Sequence, residues 1–276
     1  MIDNTEQQLR SLQNIIARGY IKYCEHMPNH KGRYRVAKIL DNWFKSFKVK
    51  TPSGPILEVF LSSSMDLSYY YAKSNNSHQK ILEVMQKIEQ GDIFIDIGAN
   101  IGFYALLAAK IVGKSGRVLS FEPSPREFRR LLKNIELNHS NNLIPYNVAL
   151  SDYVGESKFF IAQSHTGLNS LSNEVKDNQS CISVPVYTGD MLLEYLDKNI
   201  NKIIKIDVEG AEFCVLSGMK SFLKIHNIKS VIVEITPDFL SNFGHNKDMI
   251  YTLMQECGFT PTVQSTEWQY DEVFIR

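Results

Sequence analysis

The chain has 276 residues, with 30 Lys and Arg against 30 Asp and Glu, and 43% of its residues are hydrophobic. This length suits one large α/β domain with an extension, and the zero formal net charge excludes a global field that would attract nucleic acid or an anionic membrane. Binding of a polyanion would therefore need a local patch. The four cysteines are far apart and form no C-x-x-C pair, which argues against a zinc site or a disulfide framework.

An amphipathic helix is predicted over residues 5 to 24, because Leu9, Leu12, Ile16, Gly19 and Tyr23 recur at three- and four-residue steps. Its apolar face needs a partner surface, which leaves open packing on its own domain, a homodimer contact, or a cover over the substrate site. The polar start of the chain lacks the pattern of a signal peptide, and no apolar run reaches the roughly 18 residues of a spanning helix. We therefore predict a cytoplasmic protein without a transmembrane segment.

A basic segment follows at residues 31 to 50, with seven Lys and Arg against one acid, Asp41. It could meet an anionic acceptor, such as a phosphate-bearing sugar or lipid carrier, or a nucleic acid, or it could be a solvated helix face. Residues 56–61 and 67–71 are predicted to be two short strands of a hairpin. A helix that ends at Gly91 then leads into the main domain, so we divide the chain into an N-terminal extension, 1–76, and a domain, 77–276.

The central stretch is residues 91–104, which read GDIFIDIGANIGFY. Its apolar run predicts a buried strand with Asp96 at its carboxyl end, followed by a glycine turn and a helix to Val112. A dinucleotide site would need glycine where Asn100 stands, and no Gly-Lys-Ser/Thr of a P-loop is present. A carboxylate before such a turn favours a ligand that carries an amino group and a sulfonium, and S-adenosylmethionine is such a ligand. The alternative is an ordinary strand-to-helix turn.

Further elements alternate along the chain. Residues 117–121 form a predicted strand that ends at Glu122, twenty residues after Gly102, where an acid is expected to hold ribose hydroxyls; a surface glutamate is the alternative. A helix over 125–138 and a strand over 143–148 follow. Residues 149–152 then reach the sheet edge, where Asp152 could accept an adenine amine or take part in an ordinary turn.

The second half contains a polar insertion and a charged strand end. Strands at 158–161 and 182–187 flank residues 163–180, which hold His165 and form either a lid or a disordered loop. A helix at 190–198 precedes KIDVEG, residues 205–210, at the mouth of a buried strand. A helix over 211–223, a strand over 231–235, a helix over 247–257 and two closing strands complete a β-α-β-α pattern, which predicts a mostly parallel sheet with helices on both faces.

The motifs IDIGANIGFYALLAA, FEPSPREFRRLLKNIELN, NVALSDYVG, KIDVEGAEFCVLSG and VIVEI resemble those of the FkbM-type methyltransferases, a class I S-adenosylmethionine-dependent family. The resemblance covers residues 91 to 236 and implies a Rossmann-like sheet of seven strands with an antiparallel last strand. It also implies S-adenosylmethionine as cofactor and methylation of a hydroxyl on a sugar, a polysaccharide or another natural product. One departure is Thr188-Gly189-Asp190, where relatives often have Thr-Leu-Asp.

The resemblance also implies roles for individual residues. The cofactor turn would comprise Asp96, Gly98, Ala99, Asn100, Gly102 and Phe103; the ribose would meet Glu122 and Pro123; the adenine would lie beside Ala149, Leu150, Ser151 and Asp152. Asp207 and Glu209 would lie near the methyl group, with Asp207 also touching the cofactor.

Transfer of a methyl group to an alcohol needs a base, for which we favour Asp207 first and Glu209 second, with His165 a further candidate. Lys205 is expected to pair with these acids. Asp207, Glu209 and Glu234 could hold a divalent cation, but no dedicated ligand motif is present and we predict no metal. The acceptor is expected to be a small molecule or glycan, with nucleic acid disfavoured because KIDVEG stands where an Asp/Asn-Pro-Pro-aromatic tetrapeptide would be. A nitrogen acceptor and a cofactor-binding protein without activity remain alternatives, and Asn100 disfavours a dehydrogenase.

Overall fold

The structure is a computed structural model that describes residues 4–26, 31–73, 76–162, 179–262 and 268–276. The chain divides into two compact units, Met1–Asn76 and Ser77–Arg276.

The first unit combines three helices with a hairpin: α1 Asn4–His26, α2 Lys31–Phe44, β1 Phe47–Lys50, β2 Ile56–Val59 and α3 Ser64–Tyr70. The Tyr20 hydroxyl donates a hydrogen bond to the Arg33 carbonyl oxygen at 3.0 Å, which ties α1 to α2. The Asp41 carboxylate accepts the N–H groups of Leu61 and Ser62, both at 2.9 Å, which fixes the segment after the hairpin to α2. The helix predicted over residues 5 to 24 is thus confirmed.

The predicted hairpin is wrong in its second strand. Strand β2 pairs with β1, upstream of it, with Phe47 opposite Val59, whereas residues 67–71 lie in and just after helix α3. Ser63 caps that helix by accepting the N–H of Asp66 at 3.1 Å, and the Ser63 hydroxyl donates to the Asp66 carboxylate. This local Ser-x-x-Asp cap favours a helix over a strand at its start.

The second unit contains the main sheet and its helices, with these bounds: α4 Asn76–Met85, β3 Ile93–Ile97, α5 Phe103–Val112, β4 Arg117–Phe121, α6 Pro125–Asn138, β5 Leu143–Tyr146, β6 Ala149–Leu150, β7 Gly155–Ala162, β8 Gln179–Tyr187, α7 Gly189–Leu193, β9 Lys202–Ile206, α8 Glu212–Ser217, α9 Lys220–Ile225, β10 Ile228–Ile235, α10 Pro237–Ser241, α11 Lys247–Glu256, β11 Thr260–Pro261 and β12 Tyr270–Ile275.

Seven strands form the main sheet in the order β11-β12-β10-β9-β3-β4-β5. Strands β5, β4, β3, β9 and β10 are parallel, and β12 runs antiparallel to β10. Every residue of β3 and β9 is buried, as expected for central strands covered by helices on both faces. The predicted α/β fold, with a mostly parallel sheet of seven strands and an antiparallel last strand, is confirmed.

A second sheet interrupts the predicted β-α-β-α alternation. Strands β7 and β8 pair antiparallel from Gly155 opposite Val186 to Ala162 opposite Gln179, and β6 joins β8 in parallel. Residues 163–178, which include the candidate base His165, lie outside the described residues. The strand predicted over 143–148 ends instead at Tyr146, because the chain leaves the main sheet to enter this second sheet.

Three helix predictions are corrected. Helix α4 ends at Met85 rather than at Gly91, and α7 ends at Leu193 rather than at residue 198. The helix predicted over 211–223 is two short helices, α8 and α9, separated at Gly218. A Cβ at Gly218 would lie 1.9 Å from the Ser151 carbonyl oxygen, so a tertiary contact requires glycine at this break.

Residues 188–190, where the chain departs from the family pattern, have structural contacts. Thr188 caps α7 by accepting the N–H of Met191 at 3.3 Å. The Asp190 carboxylate accepts the N–H groups of Ser221 at 3.2 Å and Phe222 at 2.6 Å, in the first turn of α9. Asp190 thus holds α7 against the start of α9.

Among the described residues, no helix combines the length and apolar character needed to cross a bilayer.

We predict that Asp190→Ala lowers the free energy of unfolding by about 1 to 2 kcal/mol, since two N–H groups at a helix start lose their acceptor. Urea unfolding measures this loss, and Asp190→Asn, which keeps one acceptor oxygen, should lose less. Affinity for S-adenosylhomocysteine should stay within threefold; a larger change in affinity would give Asp190 a role in the site.

Candidate cofactor and active site

The turn after β3 packs directly on the chain that follows β9. Gly98 has φ +83°, and a Cβ there would lie 1.8 Å from the Asp207 carbonyl oxygen. The Asp207 N–H donates to the Ile97 carbonyl oxygen at 3.0 Å, which closes the same contact from the other side. Only glycine fits this approach, so the two stretches that the sequence singles out form one local structure.

Two further positions of the turn adopt the left-handed region. Asn100 has φ +52° and Gly102 has φ +87°. A Cβ at Gly102 would lie 2.4 Å from Leu131 Cδ1, on helix α6. Asparagine tolerates the left-handed region better than most residues, which accounts for Asn100 at this position. The backbone of the turn is also held by hydrogen bonds, since the N–H groups of Gly98 and Ala99 both donate to the Phe121 carbonyl oxygen.

Glu122, directly after β4, is bound to this turn. Its carboxylate accepts the N–H of Asn100 at Oε2 and the N–H of Ser124 at Oε1, both at 2.8 Å. Burial raises the pKa of Glu122 to about 8, although these two N–H donors act to lower it. A carboxylate accepts about four hydrogen bonds, so two positions remain for paired hydroxyl donors. This fits the predicted contact with a ribose.

Asn147 was missed by the sequence analysis. Its Nδ2 donates to the carbonyl oxygens of Glu122 at 2.7 Å and Pro123 at 3.1 Å. It thus ties the chain after β5 to the chain after β4 and orients Glu122. NVALSD contains this asparagine, but its side-chain partners lie about 25 residues away and have no local sequence signal.

Asp96, in β3, is a buried carboxylate whose oxygens lack an internal hydrogen bond of normal geometry, although the Ala105 N–H is near enough to lower its pKa slightly. The nearest cation is Lys205, whose Nζ lies 4.0 Å from Oδ1. Burial raises the pKa of Asp96 to about 6, and the Lys205 charge opposes this rise. Asp96 is thus a buried acid beside the glycine turn, and its contact with the positive charges of S-adenosylmethionine stays a prediction.

Lys205, in β9, links Asp96 to Asp207. Its Nζ donates to Asp207 Oδ2 at 2.9 Å, which confirms the expected pairing. Burial alone would raise the pKa of Asp207, but the charge and hydrogen bond of Lys205 outweigh burial and hold that pKa below its usual value. Asp207 is therefore an ionised carboxylate, and about one third of its side chain is exposed.

An aromatic ring that supports Lys205 was not predicted from the sequence. The ammonium of Lys205 lies 5.0 Å from the centre of the Tyr104 ring, and the Tyr104 hydroxyl is hydrogen-bonded to His78 Nδ1 at 2.5 Å. Burial and the Lys205 charge lower the pKa of His78 to about 4, so this imidazole is neutral at pH 7. Tyr104 lies in the quoted motif, but nothing in the sequence connects it to His78.

Three carboxylates meet at the mouth of β9 and β10. One oxygen from each of Asp207, Glu209 and Glu234 lies within 4.8 Å of the others. Burial and the charge of Asp207 raise the pKa of both Glu209 and Glu234 well above the ordinary value, and Gln269 donates to Glu234 at 3.0 Å. Such a set of oxygens could ligate a hard cation, although the ammonium of Lys205 already supplies positive charge here.

The predicted adenine residues lie partly in the second sheet. Ala149 and Leu150 form β6, and Ser151 is buried after it. The Ser151 hydroxyl donates to the exposed Asp152 carboxylate at 3.1 Å. Contact of these residues with an adenine ring stays a prediction, as do the cofactor contacts of the glycine turn, Glu122, Pro123 and Asp207.

The strand order, the glycine turn after β3 and the acid after β4 define a class I methyltransferase fold with its cofactor edge. The family profile described as "Methyltransferase FkbM domain" matches residues 96–261, more than half of the chain. The chain belongs to this family, whose cofactor is S-adenosylmethionine, and the resemblance read from its motifs is confirmed.

Two curated relatives are similar in sequence. The hexuronic acid methyltransferase AglP of Haloferax volcanii is 30% identical over 153 residues, 55% of this chain and 59% of that protein. Methyltransferase 1 of Beauveria bassiana is 27% identical over 192 residues, 63% of this chain and 74% of that protein. The solved structure of methyltransferase FkbM from Methylobacillus flagellatus matches with a TM-score of 0.43 and 14% identity, over 76% of this chain and 54% of that one.

We predict that Glu122→Gln weakens binding of S-adenosylhomocysteine about 10- to 100-fold, because the amide replaces an acceptor oxygen with a donor NH2 group, and an unsatisfied buried donor costs about 1 to 3 kcal/mol. Isothermal titration calorimetry measures the affinity, and thermal unfolding verifies that the variant is folded. Glu136→Gln, at an exposed position of α6, is the matched control and should bind like the parent protein. An unchanged affinity of Glu122→Gln would contradict the ribose role.

Proposed function

We propose that the protein transfers the methyl group of S-adenosylmethionine to a hydroxyl of a sugar, a polysaccharide or a related natural product. The observation that carries the acceptor class is the 30% identity to the hexuronic acid methyltransferase AglP. The match covers only 59% of that protein's length, so we give the acceptor class as a proposal. The four free cysteines agree with the cytoplasmic location expected from the sequence.

The acid cluster supports a hydroxyl rather than a carboxylate as the methylated group. Asp207 is ionised beside Lys205, and Glu209 and Glu234 add two further carboxyl groups within 4.8 Å. An acceptor carboxylate next to the ionised Asp207 would meet like charge, whereas a hydroxyl would donate a hydrogen bond to it. For an acceptor such as a hexuronic acid, we therefore propose that an ether forms and that the acceptor's own carboxylate points away from these acids.

The proposed chemistry divides between cofactor and protein. S-adenosylmethionine supplies an electrophilic methyl group on a positively charged sulfur. Asp207 accepts the hydrogen bond of the acceptor hydroxyl, aligns its oxygen, and takes its proton as the new bond forms. A weakly basic carboxylate suffices, because the hydroxyl becomes strongly acidic as its oxygen bonds to the methyl carbon. Glu209 is the second candidate for this role.

The decisive experiment incubates the protein with S-adenosylmethionine carrying a labelled methyl group and with glycans or extracts that contain uronic acids. We expect label in a carbohydrate product that resists mild alkali, as an ether does. Alkali-labile product would indicate methylation of a carboxylate and contradict the hydroxyl proposal. Label in nucleic acid or on nitrogen would favour the alternative acceptors, and binding of S-adenosylhomocysteine without any transfer would favour a non-catalytic protein.

We predict that Asp207→Asn lowers kcat about 10²- to 10⁴-fold, the usual contribution of a general base. Binding of S-adenosylhomocysteine should remain, since the amide retains the shape of the carboxylate. Asp248→Asn, at an exposed position of α11, is the control and should keep full activity. Unchanged turnover of Asp207→Asn would remove this residue from the catalytic role.

We further predict that Lys205→Met raises the pKa of Asp207, because the ammonium that lowers it is lost. A base acts only when it is deprotonated, so the acidic limb of the kcat/KM profile should move to higher pH. Activity of the variant relative to the parent protein should therefore be lower at pH 6 than at pH 9. Lys220→Met, which removes a surface ion pair with Glu256, is the control, and an unshifted limb for Lys205→Met would contradict the proposal.

A further inference from the structure

Helix α2 exposes an apolar stripe that its own unit leaves uncovered. Its inward face, at Ala37, Leu40 and Phe44, is buried or half-buried. Val36, Ile39 and Trp43 lie at positions i, i+3 and i+7 on another side of the helix, with 47%, 49% and 74% of their surfaces exposed. A row of three large apolar side chains on one helix is more than the scattered exposure usual for a protein surface.

A basic stripe runs beside this apolar stripe. Lys31, Arg35 and Lys38 are exposed and follow one another at four- and three-residue steps. Beyond the helix, Lys45, Lys48 and Lys50 are also exposed, the last two on β1. The one acid of the segment, Asp41, is held by the backbone N–H groups of Leu61 and Ser62, so its carboxylate is engaged within the unit.

An anionic lipid surface complements both stripes at once. Interfacial helices place Trp and aliphatic side chains at the boundary between headgroups and acyl chains, and their Lys and Arg near the anionic headgroups. A nucleic acid would satisfy the basic stripe, but Val36 and Ile39 would gain nothing from a phosphate backbone. A second copy of this chain would bring the same positive charge against itself.

We propose that α2, with lysines 45, 48 and 50, docks the first unit on an anionic phospholipid surface. Val36, Ile39 and Trp43 enter the headgroup region, and Lys31, Arg35 and Lys38 contact the lipid phosphates. This docking is independent of methyl transfer, so it can be tested without knowledge of the acceptor.

The first test is sedimentation of the full chain with vesicles of phosphatidylcholine containing 30% phosphatidylglycerol, compared with pure phosphatidylcholine. We expect binding to the anionic vesicles only, and weaker binding as salt rises. The triple variant Lys31→Gln/Arg35→Gln/Lys38→Gln should bind about a hundredfold more weakly, from about fivefold for each basic residue near an anionic surface. Lys87→Gln/Lys114→Gln/Lys198→Gln removes three exposed lysines of the second unit and is the matched control.

The second test uses tryptophan fluorescence, since the chain has only two tryptophans, Trp43 and Trp268. Trp268→Phe leaves Trp43 as the reporter, and its emission should shift to shorter wavelength when anionic vesicles are added. Absence of vesicle binding, equal binding by the two triple variants, or an unshifted Trp43 emission would each overturn the proposal. Two further results would overturn it, both with vesicle binding of the α2 triple variant unchanged. One is weaker binding of this variant to an oligonucleotide, and the other is its failure to form a dimer that the parent protein forms.

Discussion

The site depends on one close approach between two backbones. Strands β3 and β9 are parallel neighbours, with Asp96 opposite Lys205 and Ile97 opposite Ile206, so the next pair along is Gly98 and Asp207. A hydrogen atom fits between Gly98 and the Asp207 carbonyl oxygen, and a methyl group does not. This contact places the glycine turn, where we predict that the cofactor binds, directly beside Asp207, the proposed base.

A single buried ammonium organises the charges at this contact. Lys205 lies between Asp96 at 4.0 Å and Asp207 at 2.9 Å, and the ring of Tyr104 supports it from another side. Removal of one partner of such a buried pair would leave an uncompensated charge, which lowers the stability of the folded protein. Burial and the charge of Asp207 raise the pKa of Glu209 and Glu234, so these two carboxyl groups hold their protons more readily than ordinary glutamates.

Much of the second unit was predictable from sequence because its strands are buried, β-branched runs and its helices have clear periodicity. The predicted bounds of β3, α5, β4 and α6 agree with the structure. The failures arose where tertiary contacts decide: the approach of Gly218 to Ser151 divides α8 from α9, and β2 pairs with β1 rather than with the chain after it. The acids of the site followed from motifs, whereas the support from His78 through Tyr104 joins residues 26 positions apart and has no sequence signal.

The zero net charge of the chain conceals a separation of charge between its parts. Residues 31–50 carry seven basic residues against one acid, while Asp207, Glu209 and Glu234 converge at one strand edge. A basic surface and an acidic site can serve one protein if they bind different groups. Under the proposals above, the acids select a neutral hydroxyl for methylation and the basic helix selects an anionic lipid surface. Composition alone excludes only a global field, because opposite local charges cancel in the sum.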